Sequence, residues 1–221
     1  MRSAGLRRLV IGGICALASS GPAWPQAINV NAELIAAVRS GNVARSSELL
    51  AQGANPNSRN RLGDSTLNTA ARAGNVALVQ RLLAAGADVD QSNLAQVTPL
   101  MSAAFGGHAA VLRELLAHRA AIAPADRVHK TAMIYAAGNG CADCLRQLLD
   151  AGVDVNTRYD AEATALMWAA AYGKLEALRT LLARGADIDA RDARGKTALA
   201  IAAEQQEAAA VKLLREAGAK P

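Results

Sequence analysis

Apolar residues recur at helical spacing in short segments along most of the chain. In the segment 164–173, Leu166 and Ala170 share one helical face, and three leucines share a face in the segment 175–184. A threonine at the start of the first segment can cap a helix through its hydroxyl, and a glycine after each segment can end the helix in the left-handed conformation. The pattern predicts two short helices followed by a polar turn.

This pattern returns every 33 residues. Leucine pairs begin at positions 49, 82, 115, 148 and 181, Leu214 continues the series, and the capping residues Ser65, Thr98, Thr131, Thr164 and Thr197 follow the same step. Because one helix pair cannot bury its own apolar face, neighbouring units must stack to form a core. The sequence therefore predicts an all-α solenoid of about six helix-turn-helix units. Their expected bounds are about 28–59, 60–92, 93–125, 126–158, 159–191 and 192–219.

The repeated unit resembles the ankyrin repeat. The motif words that carry the resemblance are Thr98-Pro-Leu100, Thr164-Ala-Leu166, Thr197-Ala-Leu199, Gly107-His108, and the similar nonapeptides at 82–90 and 181–189. The resemblance covers residues 28–219 and implies helix pairs joined by β-hairpin-like loops, a concave groove, and a protein as the partner. It does not identify that partner.

Three units depart from the repeated pattern. The first has Ala32-Glu-Leu34 in place of the Thr-Pro-Leu word, and the last has Gln206 in place of the glycine between helices, so both are expected to be capping units. Unit three has Arg119 where a glycine ends the second helix elsewhere, which costs about 1 kcal/mol in a left-handed turn. We expect a looser or reshaped junction after unit three.

The first 27 residues have the three parts of a secretory signal peptide. A basic start ends at Arg8, an apolar stretch runs from Leu9 to Ser19, and Ala23 and Ala27 offer cleavage points. The apolar stretch is too short to cross a bilayer as a helix. We expect a mature protein in the periplasm of a Gram-negative bacterium, without membrane insertion. The alternatives are a secreted protein, export by the twin-arginine route, and an uncleaved hydrophobic first helix.

The composition favours helices and gives no case for nucleic acid as a partner. Hydrophobic residues make up 52% of the chain and aromatic residues only 3%, so alanine and leucine must form the core and an all-β fold is disfavoured. The net charge of +5 falls to +2 once the leader removes three arginines and no acid. The remaining chain has no Lys or Arg cluster of the kind that binds nucleic acid.

The sequence shows no catalytic or cofactor motif. His108, His118 and His129 lack the spacing of a helical metal pair, and the phosphate-binding and nucleophile-elbow motifs are missing. We therefore expect no enzyme activity, no cofactor and no metal. A hydrolase on this scaffold is the weakest hypothesis, because no nucleophile has a base nearby. His108 follows a glycine between helices, where the resemblance implies that its ring binds loop backbone.

Cys141 and Cys144 form the one local motif that could carry chemistry. Two thiols at a helix start lie at the positive end of its dipole, which lowers the pKa of a thiol. The alternatives are packing or a simple structural disulfide, a redox or peroxide-defence function, and metal binding, which would want a second such motif. Packing or a structural disulfide is favoured, because Cys144 occupies a core position of the repeat.

The aromatic residues suggest where a partner binds. Phe105, Tyr135, Trp168 and Tyr172 lie on the first helices of units three to five, positions that border the concave groove of ankyrin repeats. Tyr and Trp are typical anchors for protein partners. The alternative is that these rings only fill gaps beside small alanines.

By the same resemblance, the turn tips complete the expected contact surface. We expect contacts from Arg61, Leu62, Asp64, Arg127, Lys130, Asp160, Arg194 and Lys196. Each of these side chains could equally be a solvated surface residue. Together they predict a mixed-charge rim around an aromatic centre.

Overall fold

Twelve α-helices, paired in six units, make up the part of the chain that the computed structural model describes, residues 29–220. They are α1 (Val30–Arg39), α2 (Val43–Ala51), α3 (Thr66–Arg72), α4 (Val76–Ala84), α5 (Pro99–Gly106), α6 (Ala109–Ala117), α7 (Ala132–Asn139), α8 (Ala142–Asp150), α9 (Ala165–Ala171), α10 (Leu175–Ala183), α11 (Ala198–Glu204) and α12 (Ala208–Glu216). A turn spans Asp160–Glu162, in which Ala161 and Glu162 have φ angles of 53° and 60°. No strand occurs in these residues, and one isolated antiparallel bridge joins Arg59 to Ser65. The predicted all-α repeat fold is confirmed.

The helices form two layers. The odd-numbered helices pack side by side in an inner layer, and the even-numbered helices do so in an outer layer. Paired alanines on the inner helices, such as Ala103 and Ala104 on α5 and Ala136 and Ala137 on α7, are fully buried. Because alanine has only a methyl side chain, neighbouring inner helices can approach closely. The face of the inner layer that points away from the outer helices lines a groove, and the loops bound this groove.

The leucine that recurs once in each unit forms the centre of the core. Leu49, Leu82, Leu115, Leu148, Leu181 and Leu214 all have an exposed fraction of 0%. These side chains lie on the outer helices and pack between the two layers. Each contributes roughly 1.5 to 3 kcal/mol by burial of its apolar surface. The array of single leucines thus couples each unit to the next.

The hydroxyl caps predicted for the inner helices are confirmed. The side-chain oxygens of Ser65, Thr98, Thr131, Thr164 and Thr197 each accept a hydrogen bond from the backbone N–H three residues later. Each bond satisfies one of the donors left without a partner in the first turn of a helix. A cap of this kind contributes about 1 kcal/mol and fixes where the inner helix begins.

The end of α6 keeps the common geometry, whereas the loop after it is reshaped as expected. The turn bond that Gln91 N–H donates to Asp88 O in unit two has no equivalent in unit three, because Pro124 lacks an N–H. Arg119 adopts a φ of 62°, in the region that glycine occupies in the other units. Its N–H donates to Leu116 O at 2.9 Å, and the N–H of Ala120 donates to Leu115 O at 3.0 Å, the same pair of bonds that ends α4 and α10. The hydrogen bonds thus hold an arginine in a conformation that normally favours glycine.

The junction after unit three nevertheless lacks a bond that its neighbours have. In four places an Asn or Asp Oδ1 accepts the backbone N–H of the residue 31 positions later: Asn57 from Asp88, Asp90 from Ala121, Asn156 from Asp187, and Asp189 from Lys220, at 2.7 to 3.2 Å. The same 33-residue step places Ala123 in unit three, and alanine has no oxygen to accept this bond. Unit three therefore lacks this side-chain hydrogen bond to unit four, which we call the clamp.

Ala123→Asn should restore the missing clamp and stabilise the fold. The new amide oxygen can accept the N–H of Asp154, as Asn156 accepts that of Asp187. We expect the free energy of unfolding, measured in urea, to rise by about 0.5 to 1.5 kcal/mol, the net value of one hydrogen bond. Asn156→Ala is the matched control and should lose a similar amount. If Asn156→Ala lowers the free energy of unfolding but Ala123→Asn does not raise it, a missing hydrogen bond at position 123 does not weaken the fold.

Both end units contain residues that depart from the repeated pattern. Asn29 caps α1 by accepting the N–H of Ala32 at 3.1 Å, and Gln206 adopts a φ of 61° in place of the usual glycine. The predicted signal peptide lies outside the described residues. Within residues 29–220, every helix is too short or too polar to cross a membrane.

Candidate functional site

The inner helices and the loops of units three to six enclose a groove with two connected cavities. The larger cavity, of about 450 Å³, lies between the loops of units four and six, over helices α7, α9 and α11. The smaller, of about 200 Å³, lies over α5, α7 and α9. Lys130, Ile134 and Trp168 line both cavities. These three residues therefore mark the boundary between the two halves of the groove.

The four predicted aromatic residues surround the smaller cavity. Phe105 contacts Tyr135 edge to face, with ring centroids 5.6 Å apart, and Trp168 stacks on Tyr172 at 6.1 Å. Phe105 is 61% exposed and Tyr172 is 51% exposed, whereas Tyr135 and Trp168 are half-buried against the core. Both interpretations of these rings, as partner anchors and as fillers of gaps beside alanines, thus apply to different members of the group. The inner two fill space, and the outer two offer apolar surface to solvent.

Buried Asp126 fixes the position of Tyr135. Its Oδ1 accepts the backbone N–H groups of Val128 and Lys130, both at 2.9 Å, and its Oδ2 accepts a hydrogen bond from the Tyr135 hydroxyl. Burial raises the pKa of Tyr135, and the carboxylate of Asp126 raises it further. The hydroxyl therefore stays protonated as a donor. This bond ties the loop of unit four to the inner helix α7 and holds the ring upright at the groove.

Lys130 lies over two of the aromatic rings. Its Nζ is 4.8 Å from the ring centre of Trp168 and 5.9 Å from that of Tyr135, so it makes cation–π contacts with both. Its side chain is half-buried, and within residues 29–220 it forms no ion pair. A positive charge thus sits at the boundary of the two cavities with only aromatic partners.

Small residues in unit five create the larger cavity. Ala163 occupies the position that Lys130 and Lys196 hold in the adjacent units, and Ala161 and Ala171 also line the space. The cavity is bounded on the other side by Asp192, whose carboxylate pairs with Arg194 at 2.8 Å. The larger cavity therefore lies beside the alanines of unit five.

The structure divides the predicted tip residues into two groups. Lys130, Asp160 and Arg194 line the larger cavity. Arg61 and Arg127 are exposed and line neither cavity, and Lys196 pairs with Glu204.

The prediction of an exposed contact at Asp64 is wrong. Asp64 is only 4% exposed, because its carboxylate accepts hydrogen bonds from Asn93 at 2.7 Å and from Arg72 at 3.1 Å. Its neighbour Leu62 is 69% exposed, as expected of a loop tip.

Two family descriptions match the chain. Ankyrin repeats in three copies match residues 34–125 and 67–159, and ankyrin repeats in many copies match residues 148–202. The chain belongs to the ankyrin repeat family. The crystal structure of the human ASB11 ankyrin repeat domain is similar, with a TM-score of 0.76 and 30% identity over 85% of this chain and 84% of that chain. No curated protein matches the chain.

Membership of the ankyrin repeat family bears on function at a coarse level. Ankyrin repeats are typically non-enzymatic scaffolds for protein–protein interaction, and the matches indicate no enzyme family. A groove that is deep, partly apolar and lined by exposed aromatic rings fits such a role, since partner anchors concentrate in sites of this kind.

Sequence reasoning missed several residues of the ankyrin groove. Val128, Met167 and Ile201 line the larger cavity, and Asp126 and Asp192 brace its loops. A signal for the bracing residues is present in the sequence, because Asn60, Asn93, Asp126 and Asp192 follow the 33-residue step. Each accepts the backbone N–H groups two and four residues later.

The two cysteines are bonded to each other. Cys141 and Cys144 form a disulfide with their Cα atoms 5.2 Å apart, and Sγ of Cys141 accepts the N–H of Cys144 at 3.2 Å at the start of α8. Cys144 is fully buried and Cys141 is half-buried. Cys141 therefore caps α8 at the position where Asn75 caps α4, and Cys144 lies in the first turn of α8.

The histidine of the Gly-His word has a structural position. Nε2 of His108 lies 3.1 Å from the carbonyl oxygen of Arg72 in the preceding unit. The ring fits between Gly74 and Gly106, where an added Cβ would come within 2.6 and 2.4 Å of ring atoms. His108 thus links two inter-helix loops. Within residues 29–220 no cluster of His, Cys, Asp or Glu could hold a metal ion.

Asp192 should make the stability of the groove depend on acid pH. Burial by itself would raise the pKa of Asp192, but hydrogen bonds from the backbone of Lys196 and from Arg194 outweigh it and leave the pKa below its ordinary value. The carboxylate therefore contributes stability above about pH 4, and this contribution is lost as the pH falls through the lowered pKa.

Asp192→Asn tests this dependence without disturbing the loop, since Asn60 and Asn93 accept the same backbone bonds. Wild type should be the more stable protein in urea at pH 7, and the difference should close as the pH falls below about 4. If the difference in free energy of unfolding between the two proteins stays constant with pH, it comes from packing and not from the charge of Asp192.

Proposed function

We propose that this protein is a non-enzymatic interaction module of a bacterial cell envelope and that it holds a protein partner in its concave groove. The observation that supports this proposal is the groove itself, in which Phe105 and Tyr172 expose more than half of their surface beside the unpaired charge of Lys130. Exposed rings on a rigid scaffold lose little conformational entropy on binding, which is why such residues anchor interfaces.

The proposed location is the periplasm, with secretion as the alternative. It is supported by the basic start, apolar stretch and small residues of the first 27 positions. The Cys141–Cys144 disulfide agrees with an oxidising compartment. N-terminal sequencing of the protein recovered from the envelope should show cleavage between Ser20 and Ala27. Recovery of a chain that begins at Met1 would reject the export proposal.

Affinity capture from an envelope extract, followed by mass spectrometry, tests the proposed function. The wild-type protein should retain a partner that the Phe105→Ala, Tyr172→Ala double variant does not retain. Because both side chains are exposed, the free energy of unfolding of the variant should lie within about 1 kcal/mol of the wild-type value. Arg113→Ala, on the outer helix α6, is the matched control. A partner retained equally by all three proteins would place the binding surface outside the groove.

A redox role for Cys141 and Cys144 is the second candidate, favoured by the partial exposure of Cys141 beside buried Cys144. In this role one thiolate of a partner dithiol would attack Sγ of the accessible Cys141 and release Cys144 as a thiolate. The second thiol of the partner would then displace Cys141, so that the partner leaves oxidised as a disulfide and both cysteines are reduced to thiols. The wild-type protein should then accelerate reduction of insulin by dithiothreitol, and Cys141→Ser should not. Equal rates with both proteins would leave only a structural disulfide.

A further inference from the structure

The charge at the centre of the groove restricts the chemistry of the partner. Lys130 lines both cavities, with its ammonium 4.8 Å from the ring centre of Trp168. In the open groove water still reaches this half-buried group. A partner seated over the aromatic rings would remove that water, and an unpaired charge that is buried at an interface is strongly unfavourable.

Two of the three groove carboxylates are already occupied, and none pairs with Lys130 within residues 29–220. Asp126 uses both of its oxygens for backbone N–H groups and the Tyr135 hydroxyl. Asp192 likewise binds two backbone N–H groups and the guanidinium of Arg194. Asp160 is exposed at the rim and forms no ion pair within residues 29–220. Since no carboxylate of the described residues pairs with Lys130, we expect an acid of the partner to supply the counter-charge.

We propose that the partner inserts an internal Asp or Glu side chain opposite Lys130, with an apolar or aromatic side chain beside it. This inference rests on the proposed function of the groove. Exposed apolar surface lies on both sides of Lys130: Phe105 and Tyr172 in the smaller cavity, and Val128 in the larger. Since the groove continues in both directions, the bound chain passes over Lys130, which favours an internal acid over a C-terminal carboxylate.

A single lysine also fits a carboxylate better than a phosphorylated residue. Phosphate groups are typically held by clusters of arginine that bind two oxygens at once. The arginine of the larger cavity, Arg194, is already paired with Asp192 through two nitrogens at 2.8 and 3.0 Å. One point charge above aromatic rings, with apolar surface on either side, matches an acidic residue within an apolar segment.

Selection of randomised peptides displayed on phage, with the purified protein as bait, provides the probe. We expect the selected peptides to share an Asp or Glu next to an aromatic or aliphatic residue. The best peptides are then synthesised with an amidated C-terminus and titrated against wild type, Lys130→Gln and Lys130→Glu. Arg113→Glu, on the outer helix α6, is the control for a change of net charge.

The proposal expects a loss of at least about tenfold in affinity for both Lys130 variants and none for Arg113→Glu. A peptide in which lysine replaces the acid should bind Lys130→Glu more tightly than wild type, a rescue that a purely structural role of Lys130 would not give. Peptides that bind the groove without a shared acid, or only with a free C-terminal carboxylate, would overturn this proposal and leave the proposed function standing. Peptides whose affinity is unchanged by the Phe105→Ala, Tyr172→Ala double variant would overturn both.

Discussion

Leu148→Ala and Leu181→Ala should each lower the free energy of unfolding by about 2 to 5 kcal/mol, the range for a leucine deleted from a packed core. Both side chains are fully buried, Leu148 on α8 and Leu181 on α10. Each of these helices packs between two other outer helices, α8 between α6 and α10, and α10 between α8 and α12. The cavity left by the substitution is closed on both sides, so the structure can relax only partly.

Leu214→Ala is the matched comparison. Leu214 is equally buried, but its helix α12 packs mainly on α10 and α11 and is the last helix of the described array. The last unit has one neighbour, so it can adjust or open at smaller cost, and the loss should be smaller than at the two central sites. Urea melts of the three variants measure the difference. Equal losses at all three positions would contradict the description of the protein as a coupled linear array.

The fold could be predicted closely because its determinants repeat at a fixed step. Each unit repeats the hydroxyl that caps the inner helix and the leucine that fills the core, so five or six copies reinforce one interpretation. The exception was the junction at Arg119, where a non-glycine residue suggested a different backbone. There the hydrogen bonds at the end of α6 outweigh a conformational cost of about 1 kcal/mol. The differences lie further along the loop, where Pro124 lacks the N–H of the usual turn and Ala123 lacks a side-chain oxygen.

The groove could be predicted only in part, because its contacts join loop residues of one unit to inner-helix residues of the same or a neighbouring unit. The sequence placed Tyr135 and Trp168 on adjacent inner helices, but it could not show that Lys130 lies over both rings. It also placed Asp64 among exposed contacts, whereas Arg72 and Asn93 bury it. Such side-chain pairings depend on the approach of the loops to the helices, which a repeat period does not specify.

Truncation of the aromatic residues should separate binding from folding. Tyr172→Ala should weaken partner binding by about 2 kcal/mol or more, as for an interface anchor, with little loss of stability because the ring is 51% exposed. Trp168→Ala should reduce both quantities, since this half-buried ring packs on the core and also lines both cavities. Its loss of stability should stay below the roughly 3 to 5 kcal/mol of a fully buried tryptophan.

Two further variants make this comparison decisive. Tyr135→Phe keeps the ring but removes the hydroxyl that donates to Asp126, so it should lower stability and leave the apolar surface of the groove in place. Leu178→Ala removes a fully buried side chain from the outer helix α10 and should lower stability with normal binding while the protein remains folded. A partner titration and a urea melt for each variant give both quantities. If Tyr135→Ala, Trp168→Ala and Tyr172→Ala all bind normally while folded, the aromatic residues are not the anchor, and Arg127 and Lys130 on the loop of unit four become the next positions to test.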